Sequence, residues 1–370
     1  MDIAIRLLVF LLGFAVVIAV VRSAILTFIL PREGRSQITR VLFLVIRKLF
    51  NMITARYKDY TRRDRIMAIY APLSLLALVA AWIAISLSGF MAMYWATSTE
   101  DWATAYKLSL SSIFTLGFAQ AENLPETLLV FGEAFLGLLL IALLIGYLPT
   151  LYSAFSKREM LVTLLEVRAG APPSAPELFE RFYRIHGLDK LNGMWSEWER
   201  WFAELDETHT SLAVLSFYRS PRGKQSWVVA AGAVIDSAAL AASTLDIPRD
   251  PQADLCIRAG FLALRHIADF FGLPHNENPQ KGDPISVTRE EYDAVYDRLQ
   301  KYGIPMKADR QQAWEDFAGW RVNYDTVLRS LAVLTMAPEA AWISDKPRMP
   351  ASAVLPKEAY KGINKPDQKL

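Results

Sequence analysis

The chain has 370 residues, of which 53% are hydrophobic and 21% are charged, and its formal net charge is +2. This near balance of charge gives no support for nucleic-acid binding, and the single cysteine excludes an intramolecular disulfide and a cysteine-rich metal site. Long apolar runs fill residues 1–156, whereas residues 157–370 carry most of the acids and prolines and all four histidines. We therefore predict a membrane domain followed by a domain in water, with the boundary near Ser156.

The first apolar run covers residues 7–21 and is long enough to cross a bilayer when it is extended to residues 3–25. A cleaved signal peptide is the alternative. Only Arg6 and Asp2 precede the run as charges, however, and no small-residue cleavage site follows it. We predict an uncleaved transmembrane helix, which together with a basic segment forms an N-terminal part at residues 1–66.

Within that basic segment, residues 38–53 carry an apolar face that is interrupted by Arg40, Arg47 and Lys48. This pattern is typical of an amphipathic helix that lies in the membrane interface. A voltage sensor is the alternative, because arginines recur. The arginines form no regular array at every third residue, however, and few helices precede them. We predict an amphipathic helix on the inner leaflet.

Two further apolar runs, at residues 70–95 and 128–155, each exceed the roughly 20 residues that a hydrocarbon core requires. Ten Lys and Arg residues lie between the first and second runs, and one lies between the second and third. Because positive residues stay on the cytosolic side, we predict a multi-pass protein of the cell (inner) membrane. Its N-terminus is outside, residues 96–127 are external and the C-terminal domain is cytosolic.

The external segment contains a shorter helical stretch, residues 102–114, which follows a cap at residues 98–101. About three turns of helix are too short to cross a bilayer and return, so we predict a re-entrant helix followed by an irregular strand. Irregular backbone at membrane depth is tolerated only where it is buried in protein or lines water. Gly117 opens unusual conformations, and carbonyl oxygens together with the Thr115 hydroxyl can replace an ion's water shell. The pattern predicts a cation path, and an external loop of similar composition is the alternative.

A helix, a re-entrant helix, Thr-x-Gly-aromatic and a second helix resemble the pore module of the potassium-channel superfamily, over about residues 66–158. The family filter usually has the sequence Thr-Val-Gly-Tyr-Gly, and the matching positions here are Thr115, Leu116, Gly117, Phe118 and Ala119. The resemblance implies a pore domain at residues 67–156 and a homotetramer around one pore. It also implies permeating K⁺ or Na⁺ ions in the filter and no other cofactor.

Departures from the family pattern bear on selectivity. Ala119 replaces the last glycine, Gln120 replaces the acid that commonly follows, and Phe114 replaces a second threonine. Alanine is disfavoured at positive φ, so we expect strain at Ala119 and a less strict preference for potassium than in glycine-bearing relatives. Glu122 either forms an outer ring of carboxylates that concentrates cations or is simply solvated.

The third apolar run carries the residues that we assign to the gate, because in the superfamily this inner helix lines the cavity and closes at its cytosolic end. Gly137 and Gly146 remove side chains where helices approach or bend. Pro149 removes a backbone hydrogen bond and favours a kink. The alternative is that glycine and proline are simply common in membrane helices.

Glu133 is the one charge in that run, and an ionisable residue inside a membrane is a candidate functional residue. It lies about one turn inside the outer end of the helix. We predict that it bonds to Ser111 or Ser112 of the re-entrant helix, behind the filter. Snorkelling of its carboxylate to the interface is the alternative.

Helical patterns fill residues 157–343 and strand alternation is nearly absent, so we predict an all-α fold for the cytosolic domain as well. Ser174 is predicted to begin a helix with a capping box, and Thr288 is predicted to begin another helix. We predict that residues 227–245 form a core helix rather than a fourth span. The same core is predicted to bury an aromatic stripe, which a ligand site would instead expose: Trp195, Trp198, Trp201 and Phe202.

No dinucleotide fingerprint, EF-hand loop, phosphate loop or nucleophile motif is present, so neither an enzyme nor a metal site is predicted. Residues 344–370 are rich in lysine and proline and are predicted to be a disordered basic tail. The sequence thus predicts a tetrameric monovalent-cation channel that conducts potassium. Its gate is controlled by the cytosolic domain through an unidentified ligand or protein. The alternative is a membrane-anchored signalling or enzyme domain whose membrane half only oligomerises.

Overall fold

The computed structural model of the protein describes residues 3–30, 36–97 and 101–344. Over these residues every regular element is helical, and the one β contact is an isolated bridge between Leu245 and Met306. The all-α prediction is therefore confirmed for this part of the chain. The predicted tail lies outside the described residues apart from Ser344, and so does most of the predicted cap at residues 98–101.

The chain divides into an N-terminal unit, Met1–Ser153, and a C-terminal unit, Ala154–Leu370. Three helical stretches are long and apolar enough to cross a membrane, as predicted: Ile3–Phe28, Tyr60–Thr97 and Leu124–Ala169. The helices that begin in the N-terminal unit are α1 (Ile3–Phe28), α2 (Gln37–Thr54), α3 (Tyr60–Ala68), α4 (Tyr70–Thr97), α5 (Trp102–Ile113) and α6 (Leu124–Ala169). The last of these is longer than predicted and continues into the C-terminal unit.

Helix α1 packs along α4 through two glycines. A Cβ atom on Gly13 would lie 2.5 Å from the Gly89 carbonyl oxygen, and one on Gly89 would lie 2.9 Å from the Gly13 carbonyl oxygen. The two backbones therefore touch. Nearby, the Trp82 indole donates a hydrogen bond to the Ser23 hydroxyl at 2.9 Å. Helix α1 is consequently an integral part of this unit rather than a detached anchor.

Helix α2 is confirmed as a helix and is capped by Ser36, whose hydroxyl accepts from the Thr39 amide at 3.3 Å. It packs on α1 and α4, and a Thr27–Thr39 hydroxyl pair at 2.8 Å joins it to α1. The Arg47 guanidinium lies 5.2 Å from the centre of the Tyr70 ring. The position of α2 on the inner leaflet stays a prediction.

The C-terminal unit is a second helical core built from the end of α6 and seven further α-helices. These are α7 (Ala175–Arg184), α8 (Leu191–Ser211), α9 (Trp227–Ser243), α10 (Pro251–Phe271), α11 (Arg289–Lys301), α12 (Arg310–Arg321) and α13 (Asp325–Thr335). Helix α9 is buried along nearly its whole length, which confirms it as a core helix. The aromatic stripe of α8 is buried in the same core, also as predicted.

The two predicted helix starts are confirmed, but their caps differ. At α11 the Thr288 hydroxyl accepts from the Glu291 amide at 3.3 Å, and the Glu291 carboxylate accepts from the Thr288 amide at 2.8 Å, so a complete capping box begins this helix. Ser174 is the N-cap of α7, but its side chain makes no capping hydrogen bond, so this box is wrong. The Ser174 amide instead donates to the Ala169 carbonyl at 2.9 Å, and the Glu177 carboxylate is bound by the Arg181 guanidinium one turn later.

Candidate functional site

The short helix α5 forms where the sequence predicts it. Asp101 is its N-cap, and the Asp101 carboxylate accepts from the Thr104 amide at 2.9 Å. The helix packs against α4 and ends at Ile113. Its buried face carries hydroxyl groups, because Ser109, Ser111 and Ser112 all point away from solvent. These serines place polar partners behind the segment that follows.

The backbone amides of the following segment bend back onto the end of α5. Thr115 N–H donates to the Ser112 carbonyl at 2.9 Å, and Leu116 N–H donates to the Ser111 carbonyl at 2.8 Å. The Gly117 amide lies 3.5 Å from the same Ser111 carbonyl oxygen. Ala119 N–H donates to the Ser111 hydroxyl at 3.0 Å. The segment is thereby held to the end of α5 through its backbone amides.

The carbonyl groups of the same segment differ from its amides. Among the described residues, no donor binds the carbonyl oxygens of residues 115–119. The stretch from Thr115 to Phe118 is exposed, with Leu116 61% and Phe118 58% accessible. Unpaired carbonyls at membrane depth are costly unless water, an ion or another chain covers them. The arrangement offers a run of oxygen ligands for which the described residues supply no competing donor.

The backbone of this segment departs from regular structure at two positions. Thr115 has φ 53° and Gly117 has φ 71°, whereas Leu116 and Phe118 are outside the positive region. Positive φ is unusual for a β-branched residue and costs on the order of 1–3 kcal/mol, and such strain clusters at functional sites. A Cβ on Gly117 would meet no atom within 4 Å, so glycine serves the conformation there and not the packing.

The expectation of strain at Ala119 is wrong. The non-glycine residues with positive φ in the described part of the chain are Thr115, His186, Met336 and Trp342. Ala119 avoids that region, and the hydrogen bond from its amide to Ser111 holds it there. The strain lies at the inner end of the segment, at Thr115, so the argument from Ala119 for weak potassium preference no longer applies.

Glu133 is fully buried, which excludes the snorkelling alternative. The Ser109 hydroxyl donates to Glu133 Oε1 at 2.5 Å, and the Tyr94 hydroxyl donates to Oε2 at 2.9 Å. The predicted partners were Ser111 and Ser112, and this prediction is wrong because the Ser111 hydroxyl binds the Ala119 amide and the Ser112 hydroxyl donates to the Leu108 carbonyl. Glu133 therefore joins α4, α5 and α6, and the sequence signals for Ser109 and Tyr94 were too general to identify them.

The three proposed gate residues lie on α6 but have different surroundings. A Cβ on Gly137 would lie 2.1 Å from the Ile113 carbonyl oxygen, so this glycine allows α6 to touch the end of α5. A Cβ on Gly146 would meet nothing within 4 Å. Pro149 lies inside the continuous helix. Gly137 is a packing position, and the hinge at Gly146 and Pro149 stays a prediction.

The outer end of the segment leads into α6 through a cap that sequence analysis missed. Gln120 and Glu122 are exposed. The buried Glu126 carboxylate accepts from the Glu122 amide and from the Asn123 side chain, both at 2.9 Å. The Asn123 side chain in turn accepts from the Glu126 amide at 2.9 Å. A polar residue followed by Glu three positions later is the signal of such a reciprocal cap.

In the C-terminal unit, a cleft of about 530 Å³ lies beside Trp320 and the end of α9. Its cations already have partners. Lys281 pairs with Asp316 at 3.2 Å, and Lys307 donates to the carbonyl oxygens of Ala242 and Ser243 at 3.0 and 2.9 Å. These groups stabilise the fold, so the cleft identifies no ligand.

No family model, curated protein or solved structure matches this chain. The resemblance to the potassium-channel pore module therefore stays a prediction that depends on the chain's own residues. The geometry independently supplies a segment in which four amides are bound and no carbonyl accepts a hydrogen bond from the described residues. This segment lies between two helices that are long and apolar enough to cross a membrane.

Proposed function

We propose that the protein is a tetrameric monovalent-cation channel that conducts potassium through residues 115–119. The observation that supports this most is the division of hydrogen bonding in that segment. The amides of Thr115, Leu116, Gly117 and Ala119 bind the end of α5, whereas the carbonyls of the segment accept nothing from the described residues. Carbonyl oxygens are the ligands that replace the water shell of a monovalent cation.

Electrostatics around the segment also favour a cation. It follows the C-terminus of α5, where aligned peptide dipoles place partial negative charge. The Thr115 hydroxyl adds a further oxygen. The acidic Glu122 is exposed at the outer end, where a ring of carboxylates would concentrate cations.

One such segment cannot enclose a path, so several copies are required, and four is the number that the resemblance implies. The exposed Leu116 and Phe118 side chains need a cover, which neighbouring copies supply. Helix α6 lines the path and links it to the C-terminal unit, which controls the gate. We place the protein in the cell membrane, with the N-terminus outside and the C-terminal unit in the cytosol.

A membrane-anchored signalling or enzyme domain is the second candidate function. An anchor that only oligomerises gains nothing from a strained Thr115 or from a run of carbonyls that no described donor binds. Strain of this kind persists where the surrounding structure holds it for a purpose. The packing of Ser111 against the segment supplies such a hold, so the channel is the better supported function.

Single-channel recording from the purified protein in planar bilayers tests the proposal. Wild-type protein should carry cation currents whose reversal potential follows the potassium gradient. Gly117→Ala should abolish or strongly reduce them, because alanine at φ 71° costs about 1–2 kcal/mol in every copy.

Gly132→Ala is the matched control, because a Cβ at either glycine meets no atom within 4 Å, while Gly132 lies in a helix. This variant should conduct normally. Absence of cation current from well-folded wild-type protein would remove the proposal. Currents that are unchanged in Gly117→Ala would remove residues 115–119 from the path.

A further inference from the structure

Helix α2 runs back along the beginning of α4, in the opposite direction. At the start of α2, the Ser36 hydroxyl lies 2.5 Å from the Ser23 hydroxyl of α1, which also accepts from the Trp82 indole of α4. Farther along α2, the Phe50 ring lies 5.6 Å from the ring of Tyr70, the first residue of α4. The end of α2 therefore lies beside α3, and a short turn joins these two helices.

The exposed face of α3 and α4 changes from apolar to basic toward the beginning of α3. Leu76, Leu73 and Ile69 have accessible fractions of 56%, 44% and 57%. Arg65 and Arg62, which are also exposed, continue the series. Spacings of three or four residues place all five side chains on one face of a stretch that is long and apolar enough to cross a membrane. Such a change is expected where a helix leaves the hydrocarbon core for the headgroup region.

The exposed face of α2 changes in the same way and toward the same end. Val45, Leu49 and Met52 are exposed apolar residues, spaced by four and then three positions. Arg56 and Lys58 follow them in the turn before α3, and both are exposed. Two neighbouring helices that run in opposite directions thus become basic at the same end. We call the exposed cations at this end the α2–α3 patch: Arg56, Lys58, Arg62 and Arg65.

Nearby carboxylates do not neutralise the α2–α3 patch. Asp59 is the N-cap of α3, and its carboxylate accepts from the Thr61 amide at 3.2 Å. The Asp64 carboxylate accepts from the Tyr60 hydroxyl at 3.4 Å. Among the described residues, no carboxylate forms an ion pair with the four cations. The patch therefore presents positive charge next to an exposed apolar surface.

We propose that the α2–α3 patch binds the headgroups of acidic phospholipids. The acyl chains of such a lipid meet the exposed apolar faces of α2 and α4, while its phosphate meets the patch. Guanidinium groups bind phosphate oxygens through two parallel hydrogen bonds. An anionic leaflet also attracts basic residues beside a membrane span, with a gain in affinity of about fivefold for each cation. This inference does not depend on the proposed function, because it requires only that the stretch Tyr60–Thr97 crosses a membrane.

Basic residues beside a span can also set the orientation of the chain, and that role requires no acidic lipid. The two roles are separable in the folded protein. An orientation signal acts while the chain inserts into the membrane, and it leaves the purified protein indifferent to the headgroup. A binding site continues to distinguish acidic from neutral lipids after folding is complete.

Native mass spectrometry of the detergent-purified full chain tests the proposal through the first lipid that binds. Wild-type protein should bind dioleoylphosphatidylglycerol at least about tenfold more tightly than dioleoylphosphatidylcholine. Arg62→Gln combined with Arg65→Gln should lower this preference at least about fivefold, because two of the four cations are lost. Arg62→Lys combined with Arg65→Lys keeps the charge and should retain most of the preference.

Arg200→Gln combined with Arg258→Gln is the control matched in net charge. Both residues are exposed on helices of the C-terminal unit, and this variant should keep the wild-type preference. Equal affinity of wild-type protein for the two lipids would overturn the proposal and leave the cations as an orientation signal. Equal loss of preference in the two glutamine variants would overturn it as well. Displacement of the lipid by millimolar inorganic phosphate would show a site for soluble anions and overturn the assignment to lipid.

Discussion

Arg158 shows how one buried side chain organises the beginning of the C-terminal unit. Its guanidinium donates to the carbonyl oxygens of Leu215 and Tyr218 at 2.8 and 2.7 Å, and it lies 3.2 Å from His209 Nε2. Arginine only donates hydrogen bonds, so Nε2 of His209 is the acceptor. The Nδ1 proton then goes to the Leu205 carbonyl at 3.0 Å. Neutral imidazole is the form that this site accommodates.

The pH dependence of stability follows from His209. Burial, with the neighbouring Arg158 charge second, holds the pKa of His209 well below its ordinary value of 6.5. Below that pH the unfolded chain binds a proton that the folded chain does not, so the free energy of unfolding falls as pH falls. The loss approaches about 1.4 kcal/mol per pH unit until the folded-state pKa is reached.

Thermal midpoints of the purified protein between pH 7.5 and 5 measure this effect. The midpoint should decrease below about pH 6.5, and His209→Gln should flatten that decrease even if its own midpoint is lower. His186→Gln is the control, because His186 is exposed, and it should retain the wild-type slope. The same slope in wild type and in His209→Gln would contradict the assignment.

Helices in the N-terminal unit meet closely at glycines, which have no side chain to keep the backbones apart. Helix α1 meets α4 at Gly13 and Gly89, and α6 meets the end of α5 at Gly137. Close backbone approach fixes the position of α5, and the Glu133 carboxylate then ties it to α4 and α6. Residues 115–119 therefore follow a helix whose position is held by both α4 and α6.

Two alanine substitutions on α6 test this packing. Gly137→Ala places a methyl group 2.1 Å from the Ile113 carbonyl oxygen, so α6 must move and the protein should lose about 1–3 kcal/mol of stability. Gly146→Ala meets no atom within 4 Å and should gain about 0.5–1 kcal/mol from better helix formation. The two variants are compared by their thermal midpoints and by their yields of folded protein. Equal values for both variants would refute the close contact at Gly137.

The proposed arrangement of the chain across a membrane depends on three stretches that are long and apolar enough to cross it and on the asymmetry of basic residues. Ala121→Cys should react with an impermeant thiol reagent added to intact cells, because residue 121 follows the predicted filter on the external side. Leu255→Cys, which is exposed, should react only after the membrane is permeabilised. The reverse pattern would invert the proposed topology and place the C-terminal unit outside.

Sequence patterns predicted the elements well, since the signals for them are local. Apolar runs of sufficient length identify α1, α4 and α6 because a hydrocarbon core demands that length. The helix start at Thr288 was also correct, because its capping partner lies three residues away. The box at Ser174 failed because the Ser174 amide donates to the Ala169 carbonyl instead of to Glu177.

What the sequence determined by itself is the helical content of the described residues, the three stretches long and apolar enough to cross a membrane, the core position of α9 and the place of α5 before a Thr-x-Gly-aromatic segment. Only the tertiary structure decided that Glu133 binds Ser109 and Tyr94, that Gly137 is a contact, and that the strained residue is Thr115 rather than Ala119. The physical reason is the distance along the chain over which each interaction acts. Hydrophobic length and period act within one segment, whereas the partner of a buried carboxylate and the conformation of a segment depend on which helices approach from elsewhere in the chain.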